Sequence, residues 1–290
     1  MPCCRSGNSV VPYSDIENTP VIPLDGPATQ DLPREDALGK LNEIPSEHVS
    51  RLVLRYRMFR LISYLTPTAM KVKTGVFYDK KGLKKFKPRI SDVICAIPAK
   101  SGTTWVQQIC HQIRVKGRPF DFDDQNDIMP WIERASYLLG TDLNAEHVAN
   151  PRVFKSHLPY HLVPTGTKKI FCFRNMADTM LSFCKFALPR MGISTARALE
   201  FLEMLILTGE VKDRLRDARN WWSHRNDEDV LFIFFEDLLE RPREVVTRIG
   251  KFMDPSFDDD KLVDLVVDQT NHRAMAAHPT KCAPALPNVA

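Results

Sequence analysis

Ala99-Lys100-Ser101-Gly102-Thr103-Thr104-Trp105 is the stretch on which the reading of this chain turns. It follows the apolar run Val93-Ile94-Cys95-Ala96-Ile97 and Pro98, and it precedes Val106, Ile109 and Cys110 at helical spacing. That pattern predicts a buried strand over 92–97, a tight loop, and a helix over 103–115. The first N–H groups of a helix have no internal partner, and the helix dipole concentrates positive charge there. Such an end binds anions. Lys100 adds a full charge, Thr103 and Thr104 add hydroxyls, and Trp105 adds a flat face.

The loop differs from the Walker motif GxxxxGK[ST], in which the lysine follows the second glycine. Here Lys100 precedes Gly102, and Ile97 stands where the first glycine belongs. An ordinary nucleotide triphosphatase or kinase is disfavoured, although the strand-loop-helix logic is shared. Further apolar runs alternate with helical patterns. Strands are expected at Arg152–Lys155, Lys168–Phe173 and Asp229–Phe235, the last reading as fully buried. Helices are expected from Trp131, over Asn144–Ala149, over Ala177–Ala187 closed by Pro189, over Thr195–Leu207 (buried), Lys212–His224, Pro242–Phe252 and Asp260–Val267. Asp121–Asp127 reads as turn-like, Lys80–Lys87 as a solvated loop, and the pattern fades after Thr270. This alternation predicts an α/β fold with a single domain, a central parallel sheet flanked by helices, and ligands beyond the carboxyl ends of the strands.

The 290 residues, 43% of them hydrophobic, suffice for one such core. Residues 1–40 are rich in Pro, Ser, Asn and Asp and read as a flexible extension; a helix is expected over 46–65, and 41–290 as the folded domain. A net charge of +4 suits an anionic small ligand and not a nucleic acid. The seven cysteines have neither pairing nor zinc spacing. Buried thiols in a reducing, cytoplasmic setting and no metal site are therefore expected. No secretory segment or membrane-length apolar run is evident, and acylation of Cys3-Cys4 lacks a myristoylation start to support it.

Two more strings lie at strand ends. Phe154-Lys155-Ser156-His157-Leu158-Pro159 places an imidazole, with its near-neutral pKa, beside an ammonium group. Arg174-Asn175-Met176-Ala177-Asp178, followed by Ser182, places a planar guanidinium where a phosphate could be gripped. Read alone, these could be a capped helix start, a structural histidine, and an Asn175 cap beside an Arg174 ion pair.

Taken together and in this order, the three strings resemble the cytosolic sulfotransferases, over roughly residues 45–277. The resemblance implies a P-loop-kinase-like sulfotransferase fold. It also implies transfer of a sulfuryl group from 3′-phosphoadenosine 5′-phosphosulfate (PAPS; product PAP) to a hydroxyl or amine of a small-molecule acceptor, without metal. His157 would be the base, with Lys100 and Lys155 as catalytic cations. Ser101, Gly102, Thr103 and Thr104 would hold the 5′-phosphate, and Arg174 and Ser182 the 3′-phosphate. Trp105, Thr270 and Met275 would contact the adenine. Trp131 and Phe186 would wall the acceptor pocket, hinting at an apolar alcohol or phenol. Phe234-Phe235-Glu236-Asp237-Leu238 resembles a structural string of the family. The Arg-Lys-Gly clamp segment, the Lys-Thr-Val-Glu homodimer motif and a tyrosine shortly before Trp221-Trp222 are not found. The clamp's absence keeps a second expectation open, a catalytically impaired PAP- or PAPS-binding protein. A P-loop-like kinase is the third.

Overall fold

Each apolar run predicted as a strand is one, and all four lie parallel. The computed structural model describes residues 80–278 except 120–121, 136–139, 191–193, 196–197 and 208. Its strands are β1 (Val93–Ala96), β2 (Val153–Ser156), β3 (Lys168–Phe173) and β4 (Val230–Phe234). Their order is β2-β1-β3-β4. Val93 faces Val153 on one side and Lys168 on the other, and Lys169 faces Val230. The chain leaves β1 for β2 on one flank and returns to β3 on the other. The crevice between the carboxyl ends of β1 and β3 is therefore the switch point at which such sheets bind ligands.

The helices are α1 (Lys80–Lys85), α2 (Thr103–Arg114), α3 (Gln125–Ile128), α4 (Met176–Arg190), α5 (Ala198–Leu207), α6 (Glu210–Ser223), α7 (Phe235–Glu240), α8 (Pro242–Met253), α9 (Asp260–Thr270) and α10 (His272–Ala276). Alternate residues of β1 enter opposite cores. Val93, Cys95 and Ile97 pack with Val106 and Ile109 of α2, Ile249 of α8 and Val263 of α9. Ile94 and Ala96 pack with Phe154, Phe171 and the fully buried Trp221 of α6. Burial on both faces is why β1 reads as a continuous apolar run. The described residues fall within one compact unit.

At the amino ends of β1 and β2, Arg152 and Asp92 form a buried ion pair, Nε to Oδ1 at 2.8 Å and Nη2 to Oδ2 at 2.6 Å. The remaining guanidinium hydrogens go to the carbonyls of Leu143 and Lys87, both at 3.2 Å. A buried charge is tolerated only with this degree of pairing.

Several expectations are corrected. Lys80–Lys85 is a short helix, Gln125–Ile128 is another, N-capped by Asp124, and α10 follows Thr270 with Asn271 as its cap. Residues 144–149 are turns: Asn144 bonds Asp142 and Lys85, and Arg152 takes the Leu143 carbonyl that a helix would need. Trp131 itself bridges to Lys155 in parallel, and the helical piece expected after it begins only at residue 135, beyond a turn. Helix α4 runs through Pro189 to Arg190, losing only one bond of its last turn to the proline. Helix α5 is partly exposed, with Leu199 at 72% and only Leu205 buried among its described side chains; its main packing partners are α4 and α6. Strand β4 is the edge of the described sheet and half-open, and Phe235 already begins α7. The helix expected over 46–65, the extension at 1–40, Cys3-Cys4 and the segment after 278 lie outside the described residues.

Candidate active site

The loop between β1 and α2 is shaped by two left-handed residues. Lys100 has φ 71° and Gly102 φ 93°. A side chain on Gly102 would meet the Phe235 ring at 2.8 Å, so only glycine satisfies both the backbone and the packing. Gly102 caps α2 without a side-chain hydrogen bond, and no acidic residue lies in the first turn. The first N–H groups of α2 are thus left for an anion. The Thr103 hydroxyl turns back toward the Ile97 and Pro98 carbonyls, both at 3.4 Å, so it braces the loop while its N–H stays with the helix end. Ser101 is buried and Thr104 half-buried.

Two carbonyls of this loop tie it to its neighbouring strands. His157 follows β2, and its Nδ1–H donates to the Ile97 carbonyl at 2.5 Å. A carbonyl can only accept, so the proton sits on Nδ1 and Nε2 keeps the lone pair. Arg174 follows β3, and its Nη1 donates to the Lys100 carbonyl at 3.1 Å. Its guanidinium lies over the Phe235 ring at 4.4 Å, while its buried Nε has no hydrogen-bond partner. A buried donor without an acceptor is costly, and a phosphate oxygen would supply one. Asn175 N–H donates to Glu236, and the Asn175 side chain caps α4 through Ala177. The cap therefore coexists with an Arg174 that points elsewhere. Ser182 stands half-buried two turns into α4.

Around His157 the charges are dense. Burial, then the neighbouring Lys155, Arg134 and Arg214 cations, hold its pKa down to about 3, against the Ile97 bond. The imidazole is therefore neutral. Burial also lowers Lys155 to about 8, with Arg134 and Lys100 adding to the effect and Glu133 opposing it. Glu133, 1% exposed, accepts the His157 backbone N–H at 2.6 Å, and burial raises its own pKa. Trp131 meets His157 edge-to-face at 4.8 Å, with the Lys155 ammonium 4.0 Å and the Arg134 guanidinium 3.7 Å from its ring centre. Lys100 Nζ lies 4.6 Å from the centre of the exposed Phe186 ring.

The fold thus brings together Lys100, Ser101, Gly102, Thr103, Thr104, Lys155, His157, Arg174, Trp131 and Phe186. Trp105 joins them through Phe235, at 5.7 Å between ring centres. Thr270 and Met275 are not drawn in by any hydrogen bond or ring contact among the described residues. The Thr270 hydroxyl donates to Val266 within α9, and Gln269 beside it bonds Gly117 at the far end of α2. Glu133 and Arg134 carry no signal in the sequence, because only the Trp131–Lys155 bridge brings them beside His157. Phe235 was legible as part of a structural string, but its position under Gly102, Trp105 and Arg174 was not.

A strand-loop-helix turn with an uncapped helix start, a neutral imidazole and an arginine with an unpartnered Nε meet at one switch point, the arrangement expected of a group-transfer enzyme of the α/β class. Comparison with known proteins narrows this. The sulfotransferase domain family model matches residues 91–288. The chain is 31% identical to the amine sulfotransferase of Oryctolagus cuniculus over 209 residues, 68% of each chain. It is 30% identical to human sulfotransferase 1E1, covering 71% of this chain and 73% of that one. The fold matches mouse sulfotransferase SULT7A1, solved in complex with PAP, at a TM-score of 0.51 and 22% identity over 68% of this chain and 71% of that one. The chain belongs to the sulfotransferase family.

Proposed function

We infer that this sulfotransferase takes its sulfuryl group from PAPS and delivers it to the hydroxyl or amine of a small molecule, with His157 as the base. The observation that carries the reading is the pair of hydrogen bonds from His157 to Ile97 and from Arg174 to Lys100. They lock a proton acceptor and a phosphate-type guanidinium onto one anion-binding loop. The residues fit the donor on three counts: the glycine-only approach at Gly102, the uncapped start of α2 and the unpartnered Nε of Arg174.

When bound, PAPS supplies a sulfuryl group on an acid anhydride, with PAP as the leaving group. In the balanced transfer the anhydride S–O bond breaks, an S–O bond to an acceptor hydroxyl or an S–N bond to an acceptor amine forms, and the acceptor proton leaves. His157 Nε2 takes that proton. Lys100 steadies the charge growing on the departing oxygen, and Lys155 holds the sulfuryl oxygens. Ser101 to Thr104 hold the 5′-phosphate, and Arg174 and Ser182 the 3′-phosphate. Trp105 stacks on the adenine; Thr270 and Met275, which the family resemblance puts at the same base, would have to reach it from α9 and α10. Negative charge arriving beside Lys155 would offset the cation that most depresses His157, so donor binding would make the imidazole a better base. Residues 41–290 are read as the transferase domain. The scattered cysteines suit a reducing, cytoplasmic setting, and among the described residues no helix is long and apolar enough to cross a membrane.

The test is an acceptor-panel assay with labelled PAPS. Label appearing in a product, and lost in His157→Ala, is the expected result. Tight PAP binding with no transfer to any acceptor would favour a non-catalytic nucleotide-binding protein. Magnesium-dependent ATP binding in place of PAP binding would point to the kinase reading.

A further inference from the structure

Lysines of the sheet spend their ammonium groups in different ways. Lys168 Nζ donates to the Phe252 and Met253 carbonyls, both at 2.9 Å, and Lys169 pairs with Asp229. The half-buried Lys155 does neither. Its ammonium lies over the Trp131 ring, 4.0 Å from the centre, and among the described residues no hydrogen bond or ion pair engages it. The sheet fixes where it points. Lys155 pairs with Cys95 in the parallel register, and paired residues face one side. Cys95 Sγ meets Cys110 Sγ of α2 at 3.9 Å, so Lys155 shares the α2 side. The Ile97 N–H donates to the Ser156 carbonyl at 3.1 Å, and His157 bonds the Ile97 carbonyl. The end of β2 is thereby pinned to the start of the anion loop.

An ammonium group without a paired carboxylate gives up its proton readily. Burial lowers Lys155 to about 8, with the Arg134 and Lys100 charges adding to the effect and Glu133 opposing it. At pH 7 about a tenth of such groups is the free amine, against about one in three thousand for an ordinary lysine. A desolvated amine of this kind is the nucleophile that attacks a carbonyl carbon. The start of α2 has no side-chain cap and no acidic residue in its first turn, which suits a phosphate. An amine for a carbonyl and a seat for a phosphate therefore stand at the same end of the sheet, on the same side.

We propose, resting on the anion loop of the sulfotransferase reading above, that Lys155 is a modification site for phosphorylated aldehydes. The aldehyde bonds to Nζ while its phosphate occupies the start of α2, and the adduct shuts out the donor. In the balanced step the Nζ lone pair adds to the carbonyl carbon. The two amine hydrogens leave with the carbonyl oxygen as water, and a C=N bond replaces the C=O bond. No oxidant or reductant takes part, and water reverses the step. Lys155 then has two uses: the ammonium holds the sulfuryl oxygens, and the amine takes the aldehyde.

The test treats the full chain with pyridoxal 5′-phosphate and, for comparison, with pyridoxal, which lacks the phosphate. Borohydride fixes the imine, and peptide mass spectrometry finds the lysine that carries it. Each rate is divided by that of the same aldehyde with N-acetyllysine, so that intrinsic reactivity cancels. Lys155 is expected to carry the label, about tenfold or more faster with the phosphate than without it. Bound PAP should suppress the labelling, and Lys155→Arg should leave only lysines that react like N-acetyllysine. Label spread over exposed lysines with Lys155 unmarked, label on Lys100 in its place, equal relative rates with and without the phosphate, or labelling untouched by bound PAP would overturn the proposal. PAP binding is measured first, by calorimetry. If PAP binds and Lys155 stays unmarked, the proposal falls and the donor reading stands. If PAP fails to bind and Lys155 still takes the label in a phosphate-dependent way, the donor reading falls and the modification site stands. Should Lys155→Arg fail to fold, the wild-type peptide map and the rate ratio still decide.

Discussion

The two ends of the sheet hold buried charge in opposite ways. At the amino end, Arg152 meets a carboxylate and backbone carbonyls, and Asp92 also accepts the Arg89 N–H at 2.8 Å. At the carboxyl end, Arg174 leaves Nε without a partner, and the Lys155 ammonium lies over the Trp131 ring. A cation on a ring is held by about 0.5–2 kcal/mol, little enough for an incoming anion to redirect it. The amino end is finished as a folded structure, whereas the proposed function leaves the carboxyl end to be completed by ligands.

The largest expected effect lies at the finished end. Asp92→Ala strands a buried guanidinium and should cost about 3–5 kcal/mol of stability. Denaturant unfolding measures it, and turnover per folded molecule should stay near that of the wild type. A loss of turnover without a loss of stability would break the contrast. Next comes His157→Ala, which should lower turnover by about 10²-fold or more. Its PAP affinity, read by calorimetry, should be nearly intact. Full activity with every acceptor would remove the base. Gly102→Ala combines a left-handed backbone with a contact into Phe235. The strain of such a residue is about 1–3 kcal/mol, and we expect it to appear as PAP affinity about tenfold weaker or worse.

Smaller effects follow from protonation. Lys155, lowered to about 8, is cationic below that pH and loses its charge above it. Turnover with PAPS, read as a pH–rate profile, should therefore fall as pH rises through about 8. Glu133 opposes the depression of Lys155, so Glu133→Gln should move that fall to lower pH while keeping an acceptor for the His157 N–H. An unmoved profile would reduce Glu133 to a structural brace. Folding stability runs the other way. Between about 8 and 10.5 the unfolded chain holds a proton on Lys155 that the folded chain has released, so this group makes stability rise with pH there. His157, held down to about 3, likewise makes stability rise between about 3 and 6.5.

The fold was largely legible because β1 and β3 are buried on both faces, and burial writes itself as an unbroken apolar run. Strand β4 shows where that logic fails. Phe232 and Phe234 are apolar because they pack against each other and Trp222 at an open edge, not because the strand is central. Residues 144–149 were misread because Arg152, distant from helix propensity, captures the carbonyls. In the site, His157 and Arg174 were legible because each follows a strand directly, and Lys100 because it lies in the short loop between β1 and α2. Glu133 and Arg134 were not, since their place depends on Trp131 pairing with Lys155. Trp131 and Phe186 were seen as walls, but nothing in their sequence neighbourhood announced the cations lying on them.

Titration of PAP into the wild-type chain and into Arg174→Gln tests the central contrast most directly, with thermal unfolding of both unliganded proteins alongside. If the carboxyl end is completed by a nucleotide, PAP binds the wild type, Arg174→Gln weakens it about tenfold or more, and the unliganded melting temperatures nearly coincide. Equal PAP affinity in the two proteins, or a large loss of melting temperature in Arg174→Gln, would make Arg174 part of the finished structure and contradict the account.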